Sequence, residues 1–471
     1  MIPCREASRY VASAKTADAN NNAFQFMDSF FGMGKNAFEL VPGYDCPAYA
    51  DYLDMEWHQS YQTQHTPSSI CVFEYTADHL LSRHTAQYSV TASRNTFLTV
   101  RSVSTVGNYD YTIDYIFYLD GTFEVKVRAS GFIFGAFYTA NHKKTEDEYG
   151  HRIHDALSSS MHDHVINFKA DMDVAGPAND MVRMALEPVT KSYEWDQSEQ
   201  PKRNTMHLVE YPVTEEVGLD WPKNGQEFYI IYSSDRKNAW GERKGYRITS
   251  GTGMGNTPHL TIENSTTLGD SARWAEHDVW VLKHKVHEAR SADPLNYLDP
   301  NHPILDFAKM TDHESLEHKS RDGDYDGDLV VYFNLGAHHI PHSGDIPNTL
   351  MHTSASSVMF VPHNFNDRDP SRESVQGVRL QLKGHKSGGF AGETAEDLPS
   401  NDLRSRDKAS RKKHETKAHY FGGTYHKNMK LSLQDFEPDM KSYVSSEHGV
   451  TDLNYNGSAA GIWHREEAFG V

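Results

Sequence analysis

TVGNYDYTIDYIFYLDGTF, residues 105–123, decides the fold class. Ile113, Tyr115 and Phe117 alternate with smaller or polar residues, the period of a half-buried strand. Asp120-Gly121 then turns the chain, and GTFEVKVRAS (121–130) alternates again. The segment reads as a β-hairpin. Its start is unusual, because Asn108-Tyr109-Asp110 sets a tyrosine between two polar side chains where a strand should begin. Taken alone, Tyr109 reads as a strand aromatic packed into a core. The same Val, Ile, Tyr and Phe enrichment recurs in TFLTVRSVSTV (96–106), HVINFKADMDV (164–174), EFYIIYSS (227–234), DVWVLKHKV (278–286) and DLVVYFNLGAHH (328–339). Helical candidates are few and short, at 47–54 and 303–310. The expectation is an all-β chain, one large β-sandwich with few short helices. Residues 1–22 read as an irregular lead-in and 23–471 as one domain. Within it, 384–418 is a low-hydrophobicity arm or excursion.

The chain has 471 residues, and its hydrophobic share of 38% suffices for a sizeable core. With 46 basic against 65 acidic residues, the formal charge is −19, which disfavours nucleic-acid partners. The basic run 404–417 sits in polar sequence and reads as a solvated loop. No apolar run approaches the ~18 residues that span a membrane, and MIPCREASRYVASAK lacks an apolar signal core. Three cysteines, Cys4, Cys46 and Cys71, leave one unpaired if two bond.

MHDHVINFKADMDVAG (161–176) carries the strongest local signal. On a strand, His162 and His164 share a face, so both imidazoles can converge on one ion. Neutral imidazole suits copper, zinc, iron or nickel, although a lone His-x-His fits plain strand packing as well. Ile166, Phe168 and Ala170 continue that face. Asp171 and Asp173 lie at odd offsets from His164, hence on the other face. His338-His339 ends a second strand, and Asp328 lies at an odd offset from His339. If the two strands are neighbours, one side collects His162, His164 and His339. The other collects Asp171, Asp173 and Asp328, an all-oxygen set suited to calcium or, without it, solvated strand ends. Gly336 is the position where a bulge would reset that parity. RDGDYDGD (321–328) opens like a helix–loop–helix calcium loop, but its twelfth position is Phe333 rather than Glu, so that reading fails.

With these residues together, the chain resembles the copper amine oxidases, the topaquinone-containing class. Asn108-Tyr109-Asp110 matches the family's cofactor motif. His162-x-His164 matches its metal pair, and His339 in HHIP its third ligand. GYDCP (43–47) and SICVFE (69–74) match its cysteine segments, and FMDSFFGMG (26–34) the stretch with its catalytic aspartate. DIPNT (345–349) and NFNDRDPS (364–371) resemble the branch of fungal and animal members. The likeness runs from about 24 to 375.

The resemblance implies an oxidoreductase that converts primary amines to aldehyde, ammonia and hydrogen peroxide with O2. Tyr109 would be oxidised beside copper to topaquinone, whose carbonyl would take the amine as a Schiff base. Asp28 would remove the substrate's α-proton; taken alone it reads as a turn or cap residue. Phe24, Phe26, Phe30 and Phe31 would give it an apolar setting that raises its pKa. Asn108 and Asp110 would hold the quinone's orientation. The resemblance further implies a Cys46–Cys71 disulfide, where the residues alone also fit two buried thiols. It adds the carbonyls of Met172 and Leu329 to Asp171, Asp173 and Asp328 as a calcium site, and it implies a homodimer with long arms. Asn264-Ser265-Thr266 and Asn456-Gly457-Ser458 are glycosylation sequons. With the disulfide they fit a secreted form; a cytosolic or peroxisomal form fits the missing signal core.

The chain departs from the family in places. The small α/β domains that usually precede the sandwich are expected to be absent. Position 14, where the resemblance puts a tyrosine that positions the cofactor, is Ala14, with Tyr10 four residues earlier. His342 and Gly344 stand where many members have Arg and an acidic residue. Two further function classes explain the histidines: a zinc hydrolase using the same three, and a metal-stabilised β-domain without activity. The first gives Tyr109 and Asp28 no task.

Overall fold

The computed structural model describes residues 2–11, 25–31, 33–59, 61–86, 89–133, 135–137, 150–195, 197, 202–251, 273–284, 315–316, 327–373, 377–381, 394–397, 417–420 and 423–426. Residues 2–11 and 25–31 are described by backbone path and pairing. The sandwich expectation holds: among the described residues, two large antiparallel sheets face each other and the helices are short 3₁₀ turns.

The six-stranded sheet runs in the order Val217–Leu219, Val279–Lys283, Leu329–His339, His162–Asp171, Ile2–Val11, Gln25–Phe31. The twelve-stranded sheet includes Tyr109–Tyr118 between Ser89–Val106 and Phe123–Gly131. The hairpin turn falls where the sequence put it. Gly121 has φ +90°, and Asp120 accepts from the Thr122 amide at 3.0 Å.

The core lies between the sheets. Tyr109, Tyr111, Ile113, Val125 and Val127 from one sheet meet Ile166, Phe168, Ala170, Val331, Phe333 and Leu335 from the other. Phe168 and Phe333 stack with ring centroids 5.1 Å apart, and Phe360 meets Phe333 edge-on at 5.6 Å. The reverse face of the six-stranded sheet is also covered. Val165, Trp280, Val330 and Tyr332 pack there against Trp274. Burial on both faces explains why HDHVINFKAD shows so weak an alternation of polarity.

Gly336 keeps the two strands in step and does not bulge the ladder. His162 pairs directly with His339, and the register runs without a shift to Asp171 opposite Val330. Gly336 has φ +144°, and a Cβ there would stand 1.7 Å from the His164 carbonyl oxygen. Only glycine lets the two strands approach while staying in step.

Two expectations differ from the structure. The helix expected at 47–54 is not formed: Asp51–Gln59 is a strand paired with Gln62–Ala86. The ladder overrides a segment whose own pattern was ambiguous over so few residues. Ile2–Val11 pairs with both His162–Asp171 and Gln25–Phe31, so part of the expected irregular lead-in is ladder. The candidate helix 303–310 lies outside the described residues, as does most of 384–418 apart from Thr394–Asp397 and the start of Lys417–Tyr420.

Candidate metal and cofactor site

At the end of the paired strands, His162, His164 and His339 converge. Each offers one nitrogen, and the three lie within 4.8 Å of one another. The other contacts show which nitrogens face the shared space. His164 Nδ1 is 2.9 Å from the Tyr111 hydroxyl, while its Nε2 is buried with no hydrogen-bond partner among the described residues. His339 Nε2 faces the buried Asp345 carboxylate, whose Oδ2 is 3.0 Å away. That leaves His339 Nδ1, which is 3.0 Å from His162 Nε2.

The electrostatics suit a metal. Burial, then the neighbouring His162 and His339, hold the His164 imidazole well below its ordinary value. Burial also lowers His339, against an opposing pull from Asp345. Both are therefore held neutral, the form that ligates metal. An orphaned buried nitrogen within a three-imidazole set fits copper, which prefers imidazole donors. Tyr111 and Asp345 supply the outer contacts that fix ring orientation.

Tyr109 enters from the opposite sheet and is 1% exposed. Its hydroxyl oxygen is 3.1 Å from His339 Nδ1, 3.4 Å from His162 Nε2 and 3.2 Å from Thr349 Oγ1. Its ring centroid is 4.5 Å from that of His164. Burial pushes the phenol up to about 12; the Thr349 hydrogen bond opposes this and Asp345 reinforces it.

The flanking residues make contacts of their own. Asn108 Nδ2 donates to the Phe132 carbonyl at 2.5 Å. Asp110 is exposed and accepts from the Thr105 hydroxyl at 2.6 Å. Asp28 lies in the Gln25–Phe31 strand. Its register partner is Ser8, and Ser8 pairs in turn with His164. Two strand spacings place its backbone about 10 Å from that of His164. Tyr10 pairs with His162 in the same way.

The three aspartates gather elsewhere. The carboxylates of Asp171, Asp173 and Asp328 lie within 4.8 Å of one another. His338, on the reverse face from His339, contacts Asp163 at 2.6 Å and joins neither set. Leu329 is buried, and its carbonyl accepts from the Met172 amide at 3.4 Å. His284 adds an unforeseen imidazole, with Nδ1 2.7 Å from Asp328 Oδ2 and Nε2 3.9 Å from Asp171 Oδ2. Cys46 and Cys71 form a disulfide.

Sequence reasoning missed Tyr111, Thr349, Asp345 and His284. Tyr111 shares Tyr109's strand face, a signal available from parity. Asp345 and Thr349 bound DIPNT, which stood out as a motif but carried no role.

The family description "Copper amine oxidase, enzyme domain" matches residues 8–381. The copper amine oxidase vicK1 of Bipolaris victoriae (strain FI3) is 42% identical over 362 residues, covering 76% of this chain and 48% of that protein. The amine oxidase [copper-containing] 3 of Bos taurus is 32% identical over 366 residues, covering 76% and 45%. Among solved structures, Aspergillus nidulans amine oxidase superposes with a TM-score of 0.71 at 41% identity, covering 83% of this chain and 50% of that one. Pichia pastoris lysyl oxidase gives 0.71 at 34% identity, covering 85% and 52%. The chain spans about half the length of the curated relatives it matches. With a family match over most of its length, on a sandwich that brings three imidazoles to one buried tyrosine, the chain belongs to the copper amine oxidase family.

Proposed function

We propose that the protein oxidises primary amines with O2, using copper and a topaquinone formed from Tyr109. The balance is R–CH2–NH2 + O2 + H2O giving R–CHO + NH3 + H2O2. The observation that carries this is the buried Tyr109 hydroxyl, 3.1 Å from His339 Nδ1 and 3.4 Å from His162 Nε2. Neither a hydrolase nor a structural metal site needs an oxidisable phenol there. The bound groups supply an oxygen-reactive metal and a carbonyl electrophile that accepts two electrons from the amine.

The chain's own residues do the rest. His162, His164 and His339 hold the metal, with Tyr111 and Asp345 fixing two of the rings. The closed interface between the sheets excludes water from Tyr109. Asn108 and Asp110 hold the chain on either side of it, through the Phe132 carbonyl and the Thr105 hydroxyl. Asp28 takes the proton from the carbon bearing the amine nitrogen; its strand position in the row of His164 supports that role.

Two further assignments go with this reading. Asp171, Asp173 and Asp328, with the Met172 and Leu329 carbonyls, hold calcium, since a carbonyl that accepts one hydrogen bond keeps a second lone pair. The active form is a homodimer. The hairpin Asn179–Ser192/Lys202–Pro212 supports this, because its neighbour Glu227–Lys237 pairs only up to Ala185. Beyond that point Met206 and Leu208 are 68% and 62% exposed, apolar surface suited to a second copy.

The test is quinone staining of copper-loaded protein with peroxide release from a panel of primary amines. Tyr109→Phe should lose both; Asp28→Asn should keep the stain and lose peroxide. Stoichiometric zinc without stain, or copper without quinone, would sink the proposal.

A further inference from the structure

We propose that Thr349 is a positioning residue for Tyr109, its hydroxyl holding the phenol oxygen in place while the cofactor forms. The proposal rests on the reading of Tyr109 as the quinone precursor.

Three observations carry it. First, the Tyr109 hydroxyl has three polar partners among the described residues: His162 Nε2, His339 Nδ1 and Thr349 Oγ1. Both nitrogens belong to the three-imidazole set that would hold a metal. Once their lone pairs are committed to a metal, Thr349 is the hydrogen-bond partner that remains.

Second, Thr349 is itself fixed. It is 1% exposed. Its amide donates to the Gly131 carbonyl at 2.8 Å, and its carbonyl accepts from the Ser130 hydroxyl at 2.8 Å. Ser130 and Gly131 are the register partners of Asp110 and Tyr109. Thr349 is thus stitched to the strand beside the one that carries Tyr109, and its hydroxyl cannot drift independently of that ring.

Third, the segment that carries Thr349 also carries Asp345, 3.0 Å from His339 Nε2. One short stretch therefore touches both a metal-ligating imidazole and the tyrosine. It fixes the two relative to each other across the gap between the sheets, a distance that strand pairing within either sheet does not set. Preorganisation of this kind acts on rate by removing misoriented states.

The experiment uses the full 471-residue chain. Copper is added without oxygen, its stoichiometry and electron paramagnetic resonance spectrum are recorded, and oxygen is then admitted while quinone absorbance is followed. Thr349→Val keeps the shape and removes the hydroxyl; Thr349→Ser restores it. The valine variant should bind copper with an unchanged spectrum and form quinone roughly threefold to tenfold more slowly, the rate equivalent of one neutral hydrogen bond. The serine variant should return to within about twofold of the parent. A valine variant that matches the parent rate overturns the proposal. So does one that loses copper, which would make Thr349 a structural contact, or a serine variant as slow as valine. If the parent binds copper and forms no quinone, the cofactor reading itself has failed and this proposal with it; a parent that does form quinone isolates the test to Thr349.

Discussion

Replacing Asp345 with asparagine should weaken copper binding without unfolding the protein. The carboxylate is 1% exposed, so solvent does not screen its pull on His339 Nε2, 3.0 Å away. That pull opposes the burial that lowers the His339 pKa. Removing the charge leaves the imidazole a poorer base and a weaker ligand. Loss of such an outer contact typically costs 10–100-fold in metal affinity, or about 1.4–2.7 kcal/mol. Because asparagine keeps a polar group beside the ring, the expected loss is at the weaker end, roughly tenfold. Asparagine keeps the size and an oxygen to accept from the His342 amide, a bond of 2.8 Å, so the turn at Ser343–Asp345 should survive. The assay is competition for copper against a chelator of known affinity near neutral pH, with thermal unfolding of the metal-free protein as the control. A folded variant with copper affinity equal to the parent's would refute the claim that Asp345 tunes His339 as a ligand.

Gly336→Ala should cost several kcal/mol, since the added Cβ would stand 1.7 Å from the His164 carbonyl oxygen. Gly176→Ala is the control: its φ is a similar +145° but nothing lies within 4 Å, so thermal unfolding should fall far less, and equal losses would refute the steric account. Cys71→Ser should lower stability by about 3 kcal/mol in denaturant titration, the entropy of a loop with sequence separation 25; an unchanged midpoint would count against it. The metal-free protein should lose stability as pH falls below the ordinary imidazole value of 6.5. His164 and His339 are lowered in the folded state, so the unfolded chain binds more protons there and acid favours it. His338, raised by Asp163, runs the other way: it contributes stability at lower pH and loses it as pH rises. Replacing it with glutamine should steepen the acid loss; a flat profile from 7 to 5 would refute the balance.

The part of this protein legible in its sequence is the part that strand geometry makes local. A period of two put His162 and His164 on one face and Asp171 and Asp173 on the other, and Asp-Gly turn chemistry placed the turn at Asp120-Gly121. The same rule carried His339 and Asp328, because Gly336 keeps the ladder in step where a bulge would have reversed every later side chain. Residues 51–54 are strand rather than helix because so few residues cannot distinguish the two periodicities and pairing with Gln62–Ala86 decides them. Which strands are neighbours was not local information, nor was the distance between the two sheets. Those features set His162 opposite His339 and brought Tyr109 across the core to both. They also gave Thr349, Asp345, Tyr111 and His284 their partners, in contacts that join residues far apart in the chain. Local residue pattern was enough to set the strands, their faces and the donor types. The tertiary structure alone decided which donors meet, because pairing and sheet packing, rather than spacing along the chain, fix distances between side chains on different strands.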